Sequence, residues 1–163
     1  MLRLLPGALK SGTLAAAAVT LAASFAARRA SGSAASALNA TSHFLWGERA
    51  AYERDYSLKY TGSGFVANYG ASVFWALFYE ALGRGRRRSR ARALIDGAAV
   101  SAAAYVTDYH LVARRLTPGF EMRMPRAALA CVYAALGLGL SAKDLWNSRG
   151  RTPRRRLRRA MTS

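Results

Sequence analysis

Residues 11–27, 61–79, 97–107 and 127–142 contain no charged side chain, and the stretches between them hold nearly all the arginine. A soluble helical bundle keeps a charged face along each surface helix, so charges recur every few positions. These runs have none. With their flanks they predict four membrane-spanning helices, over residues 8–27, 61–82, 93–113 and 127–142. The first three approach the roughly 20 residues that a spanning helix needs, and the fourth is shorter. The second holds Phe65, Phe74, Trp75 and Phe78, and the other three are rich in alanine. The expected fold class is all-α: a polytopic membrane protein with four transmembrane helices in an antiparallel bundle. Residues 1–147 form one membrane domain with a long outer loop over 28–60, and residues 148–163 form a disordered basic tail.

Charge sets the orientation. The chain carries 25 Lys and Arg against 8 Asp and Glu, a formal charge of +17. With four spans, sixteen basic residues fall on the side of the two termini and of the loop from Arg84 to Arg92, and nine fall on the other. Positive loops stay inside, so both termini are expected in the cytoplasm. Three spans would put the Arg84–Arg92 loop and the tail on opposite sides. Ser24-Phe25-Ala26 resembles a signal-peptide cleavage site, but Arg28 and Arg29 follow at once, which disfavours export after cleavage. An uncleaved first span is expected, in a bacterial inner membrane. One cysteine excludes a disulfide scaffold.

Helices associate in lipid through close contact and polar pairing, so small residues four apart mark interfaces. The first span offers Gly12, Ala16, Thr20 and Ser24. The second offers Gly64, Asn68, Ser72, Ala76 and Glu80. The third offers Gly97, Ser101 and Tyr105, and the fourth Ala127, Cys131, Ala135 and Gly139. Cys131 reads as a packing residue, with no partner for nucleophilic chemistry. In the long loop, Leu38, Ser42 and Leu45 fall on one face of a short helix at the outer interface. Thr117-Pro118-Gly119 signals a turn.

Ionisable residues within spans are the first candidates for function. Glu80 can pair with Arg84, and Asp96 with Arg92, each along its own helix. Asp108 and His110 lie near the outer end of the third span, and Asn68 sits at similar depth in the second. Asn68, Ser72, Tyr105 and Asp108 are therefore expected to form a polar cluster at the outer face, joined by His110 and by His43 from the loop. Its simplest role is to hold helices together. Arg84, Arg86, Arg87 and Arg88, with Arg154, Arg155 and Arg156, are expected to meet anionic lipid headgroups. No nucleic-acid partner is expected, because the tail has no aromatic residues for base stacking.

His43, His110, Asp108 and Glu48 lack the spacing of a metal motif, and no metal or other cofactor is expected. There is no Gly-x-Ser-x-Gly elbow and no phosphate-binding loop. Asn39-Ala40-Thr41 matches a glycosylation sequon by coincidence in a bacterial chain.

The stretch Asn39-Ala40-Thr41-Ser42-His43-Phe44-Leu45-Trp46-Gly47, with Asp108-Tyr109-His110 and Arg115-Leu116-Thr117-Pro118-Gly119-Phe120-Glu121, resembles small bacterial four-helix inner-membrane proteins. The resemblance covers the first three spans and their loops. It implies a membrane protein and no assigned activity. The first expectation for function is a non-catalytic accessory or structural component, with a homo-oligomer or another membrane protein as partner. The second is a small oligomeric proton-coupled carrier using Asp108. Its size resembles small multidrug carriers, but those have their acid in the first span, where this chain has none. The third, an enzyme using His43 and His110, ranks last.

Overall fold

A computed structural model describes residues 4–85 and 88–149 of the chain. The described residues are helical, with no strand among them. Four long helices carry the fold: α1 (Leu5–Ser31), α5 (Ser63–Leu82), α6 (Arg90–Val106) and α7 (Arg126–Arg149). Between α1 and α5 lie three short ones, α2 (Ala35–Thr41), α3 (His43–Trp46) and α4 (Arg49–Tyr52). A π-turn (Leu58–Gly62) leads into α5, and another (Thr107–Leu111) extends α6.

Helix ends follow local chemistry. Pro6 lies in the first turn of α1, where its missing N–H would have had no helical acceptor. α1 stops at Gly32, whose left-handed φ of 80° lets its N–H reach Arg28 O. The Ser89 hydroxyl accepts from Arg92 N–H and starts α6. Gly119, at φ 76°, makes the expected turn before α7.

α1 packs against both α5 and α7, and α7 also packs against α6, so the helices run α5–α1–α7–α6 around the molecule. α5 and α6, joined by the Arg84–Arg92 loop, touch much less. The core is Ala8, Ala15, Val19, Ala23 and Ala27 of α1 with Ala76, Tyr79, Val100, Leu129, Val132, Leu136 and Leu140. Backbones meet closely at the small positions. A Cβ on Gly12 would lie 2.7 Å from Val73 Cα, and one on Gly139 would lie 2.5 Å from Ala15 Cα.

Two helices are long and apolar enough to cross a membrane by length and composition, Leu5–Ser31 and Arg126–Ser148. The second and third expected spans form helices of 20 and 17 residues. Asn68, Ser72 and Glu80 dilute the hydropathy of α5, and α6 carries Arg90, Arg92 and Asp96.

Two expectations change. The single short helix expected at the outer interface forms as two, α2 and α3, and all seven residues of α2 are buried. Small side chains at five of its seven positions let it fit among α1, α4 and α5. Cys131, expected on the packing stripe of the last span, is exposed. α7 lies between two neighbours, so it buries Val132, Tyr133, Leu136 and Leu140 and turns Cys131 outward. The expected disordered tail lies outside the described residues from residue 150 onward.

Candidate functional site

The short helices make a cap over one end of the long ones, held by Asn39. Its side chain is fully buried, and all of its amide is used. Nδ2 donates to Glu53 O and Asp55 O at 3.1 Å each, and Oδ1 accepts from Thr61 Oγ1 at 2.7 Å. This leaves no accessible amide at the sequon. Gly64 brings α5 against the Leu38 carbonyl, where a side chain would have no room. The cap therefore has a fixed position on the helices.

Beneath it lies a cavity of about 240 Å³. Ala67, Asn68, Ala71, Ser72 and Trp75 form its α5 wall, and Val19, Tyr133 and Leu136 its α1 and α7 walls. Thr41, Phe44 and the segment Leu116–Pro118 with Phe120 close the top, and Asp108 enters from the α6 side. The lining is mostly apolar, and it includes one carboxylate but no Lys, Arg or His.

Asp108 Oδ2 accepts a 2.6 Å hydrogen bond from the Tyr133 hydroxyl of α7. Its other carboxylate oxygen has no hydrogen-bond partner among the described residues. Tyr133 is in turn braced by edge-on contacts with Tyr105 and Tyr109, at 5.3 and 6.0 Å. Tyr109 donates to Glu121 Oε2 at 3.1 Å, and Thr117 to Glu121 Oε1 at 2.8 Å.

Three of the six residues expected in the polar cluster share this cavity: Asn68, Ser72 and Asp108. They do not bond to one another. Asn68 Nδ2 turns to α1, donating to Thr20 Oγ1 at 3.1 Å and to Ala16 O at 3.5 Å. Tyr105 does not line the cavity; it is exposed and packs edge-on against the Tyr133 ring. His110 is exposed and lies edge-on to Tyr105. His43 is buried elsewhere, its Nδ1 2.8 Å from Ala40 O and its Nε2 3.4 Å from Arg114 O. These backbone contacts fix the His43 ring and keep it from Asp108. No group of three His, Cys, Asp or Glu placed to hold a metal occurs among the described residues.

Tyr133, the partner of Asp108, was not among the expected site residues. A lone phenol inside a charge-free span, at the depth of an acid on the neighbouring span, was the available signal.

The opposite end holds a second polar cluster. Arg88, expected at the headgroups, turns inward, with its side chain 6% exposed. Nε pairs with Asp96 Oδ2 at 3.0 Å and Nη1 with Asp144 Oδ2 at 3.2 Å, while Nη2 donates to Tyr79 O. Its guanidinium lies 3.9 Å from the Tyr79 ring centre, and the Tyr79 hydroxyl donates to Asp144 at 2.8 Å. Burial works against its charge, but the hydrogen bond to Asp96 and the fields of Tyr79, Asp144 and Glu80 outweigh it, and the guanidinium pKa rises. Arg92 pairs with Asp96 at 2.8 Å, as expected from their spacing. Glu80 does not use Arg84. It pairs with Lys143 at 2.7 Å and accepts from Ser11 at 2.6 Å, linking α5 to α7 and α1. Arg84 is exposed, and Arg86, Arg87, Arg154, Arg155 and Arg156 lie outside the described residues.

No protein-family model, curated protein or solved structure matches this chain.

Proposed function

We propose that the chain is a four-span protein of a bacterial inner membrane, with both termini in the cytoplasm, acting as a non-catalytic accessory or structural component. The observation that carries this reading is where the large apolar side chains lie. Leu21, Phe25, Val66, Phe74, Phe78, Ile95 and Leu138 are exposed along the four long helices. Water would disfavour so large an apolar surface, whereas lipid would cover it. The ion pairs of Arg88 and Lys143 gather at one end, away from this band. α5 rises about 30 Å and α6 with its π-turn about 33 Å at 1.5 Å per residue, close to the hydrocarbon thickness of a bilayer. The fixed cap, the buried His43 and the interhelical pairing of Asn68 favour a structural part over a reacting one.

Reporter fusions test this reading. A reporter after Ser163 is expected to report cytoplasm, and one inserted near Tyr56 the periplasm. Both on one side would overturn the four-span arrangement. Co-purification from crosslinked membranes tests the accessory role, where recovery of the chain alone counts against it.

A second reading, a small proton-coupled carrier, is favoured by the presence of Asp108 on a cavity wall rather than in a closed ion pair. Proton-linked flux in proteoliposomes, abolished in Asp108→Asn, would support it.

A further inference from the structure

We propose that the cavity beneath the cap is a binding site for a small lipophilic organic cation, an alkyl- or arylammonium ion, with Asp108 as its counter-ion. Four aromatic side chains, Phe44, Trp75, Phe120 and Tyr133, come from four different parts of the fold, and one carboxylate stands among them. Aromatic faces attract ammonium groups through their quadrupole, most strongly where water is excluded. A carboxylate adds charge complementarity in the same place.

The charge of the chain sharpens the point. The chain holds 25 Lys and Arg, yet among the described residues none lines this cavity. Arg88 answers two acids at the other end and Lys143 answers Glu80, whereas Asp108 meets only the Tyr133 hydroxyl among the described residues. That hydrogen bond holds the carboxylate in place through one oxygen. The other oxygen remains for a ligand, with the Ser72 and Asn68 side chains also on the wall.

Size limits the ligand. A cavity of 150 Å³ takes benzene, so about 240 Å³ takes roughly ten non-hydrogen atoms. A monocyclic ammonium ion fills this space, whereas a phospholipid would leave most of its bulk outside it. An anion meets no cation in the lining. A neutral apolar molecule of the same shape would fill the space but leave Asp108 without a counter-ion. This inference goes beyond the accessory reading and does not depend on transport.

The test uses the purified full chain in a neutral maltoside detergent, with protein-free micelles as the blank. Benzyltrimethylammonium is the probe, neopentylbenzene its neutral isostere and benzenesulfonate the anionic control. Equilibrium dialysis is expected to show one saturable site for the cation, at least tenfold tighter than for the isostere, and none for the sulfonate. Asp108→Asn keeps the acceptor for Tyr133 and is expected to lower cation affinity at least tenfold without changing that of the isostere. Should Asp108→Asn fail to fold, Trp75→Leu takes its place, since it keeps an apolar wall and removes an aromatic face. It is expected to weaken cation binding severalfold and to spare the isostere. Absence of saturable cation binding, equal binding of the isostere, or full cation affinity in the folded variant would each overturn the proposal. None of these outcomes bears on the reporter topology.

Discussion

Arg88 takes part in two of the four ion pairs among the described residues, one with α6 and one with α7. Asp96 lies on α6 and Asp144 on α7, so one guanidinium from the connecting loop ties two helices and the end of α5 together. Breaking a buried pair leaves uncompensated charge and costs about 3–5 kcal/mol. Arg88→Met is therefore expected to destabilise the protein by about 3 kcal/mol. Arg92→Met removes a pair whose arginine side chain is 55% exposed, where the loss is expected below about 1 kcal/mol. Unfolding midpoints of both variants in one detergent check the contrast, and equal losses would mean that Arg88 is not the hub. The sequence distinguishes these arginines poorly. Spacing alone pairs Arg92 with Asp96 because helix geometry brings i and i+4 together. The partners of Arg88 and Glu80 lie across the fold, and local spacing is silent on them. Asp108 is a similar case: its depth was legible, but its partner depended on which helix stands beside α6.

Helices α1 and α7 show how little side chain separates two backbones. Gly139 meets the Ala15 backbone, and Gly97 lies against Ser141 and the Gly137 carbonyl. Three of the small stripes visible in the sequence serve such contacts, through Gly12, Gly64 and Gly97. On α7 the expected stripe is only half right: Gly139 is buried and Ala127 is exposed. A helix with two packed neighbours buries more than one stripe, and four-residue spacing describes just one. Gly139→Ala is expected to lose about 1–3 kcal/mol through overpacking, since the atom in the way is backbone and cannot turn aside. Gly70→Ala, in a helix position with open space around it, is expected to be neutral or to gain about 0.5–1 kcal/mol from reduced unfolded-state freedom. Thermal midpoints decide between them, and a tolerated Gly139→Ala would refute the close approach. The cap was harder to read. The one face that Leu38, Ser42 and Leu45 mark points to an interfacial helix, whereas α2 is buried all round, which four-residue spacing does not reveal.

At the scale of the whole molecule, the order α5–α1–α7–α6 makes the first helix central rather than peripheral. The sequence suggests two hairpins, α5 with α6 through the Arg84–Arg92 loop and α6 with α7 through the Thr117-Pro118-Gly119 turn, and leaves α1 unplaced. The structure puts α1 between α5 and α7 because its residues are small enough to pack on both sides: Ala8, Ala15, Ala23 and Ala27 have no exposed surface. Its polar groups also work across helices, Ser11 on Glu80 and Thr20 on Asn68. A chain starting at residue 32 would lose all of these at once. Glu80 would keep Lys143, but Asn68 would lose its Thr20 acceptor, and the facing surfaces of α5 and α7 would have nothing between them. The cavity would open as well, because Val19 is part of its wall. Such a truncation is expected to abolish a cooperative unfolding transition in detergent and to leave the remaining helices sensitive to limited proteolysis. Supplying residues 1–34 as a separate membrane-inserted segment is expected to restore protease resistance, since the lost contacts are non-covalent. A truncated chain that unfolds cooperatively at the full-length midpoint would show that α1 is not the centre of the bundle, and the packing order drawn from it would have to be abandoned.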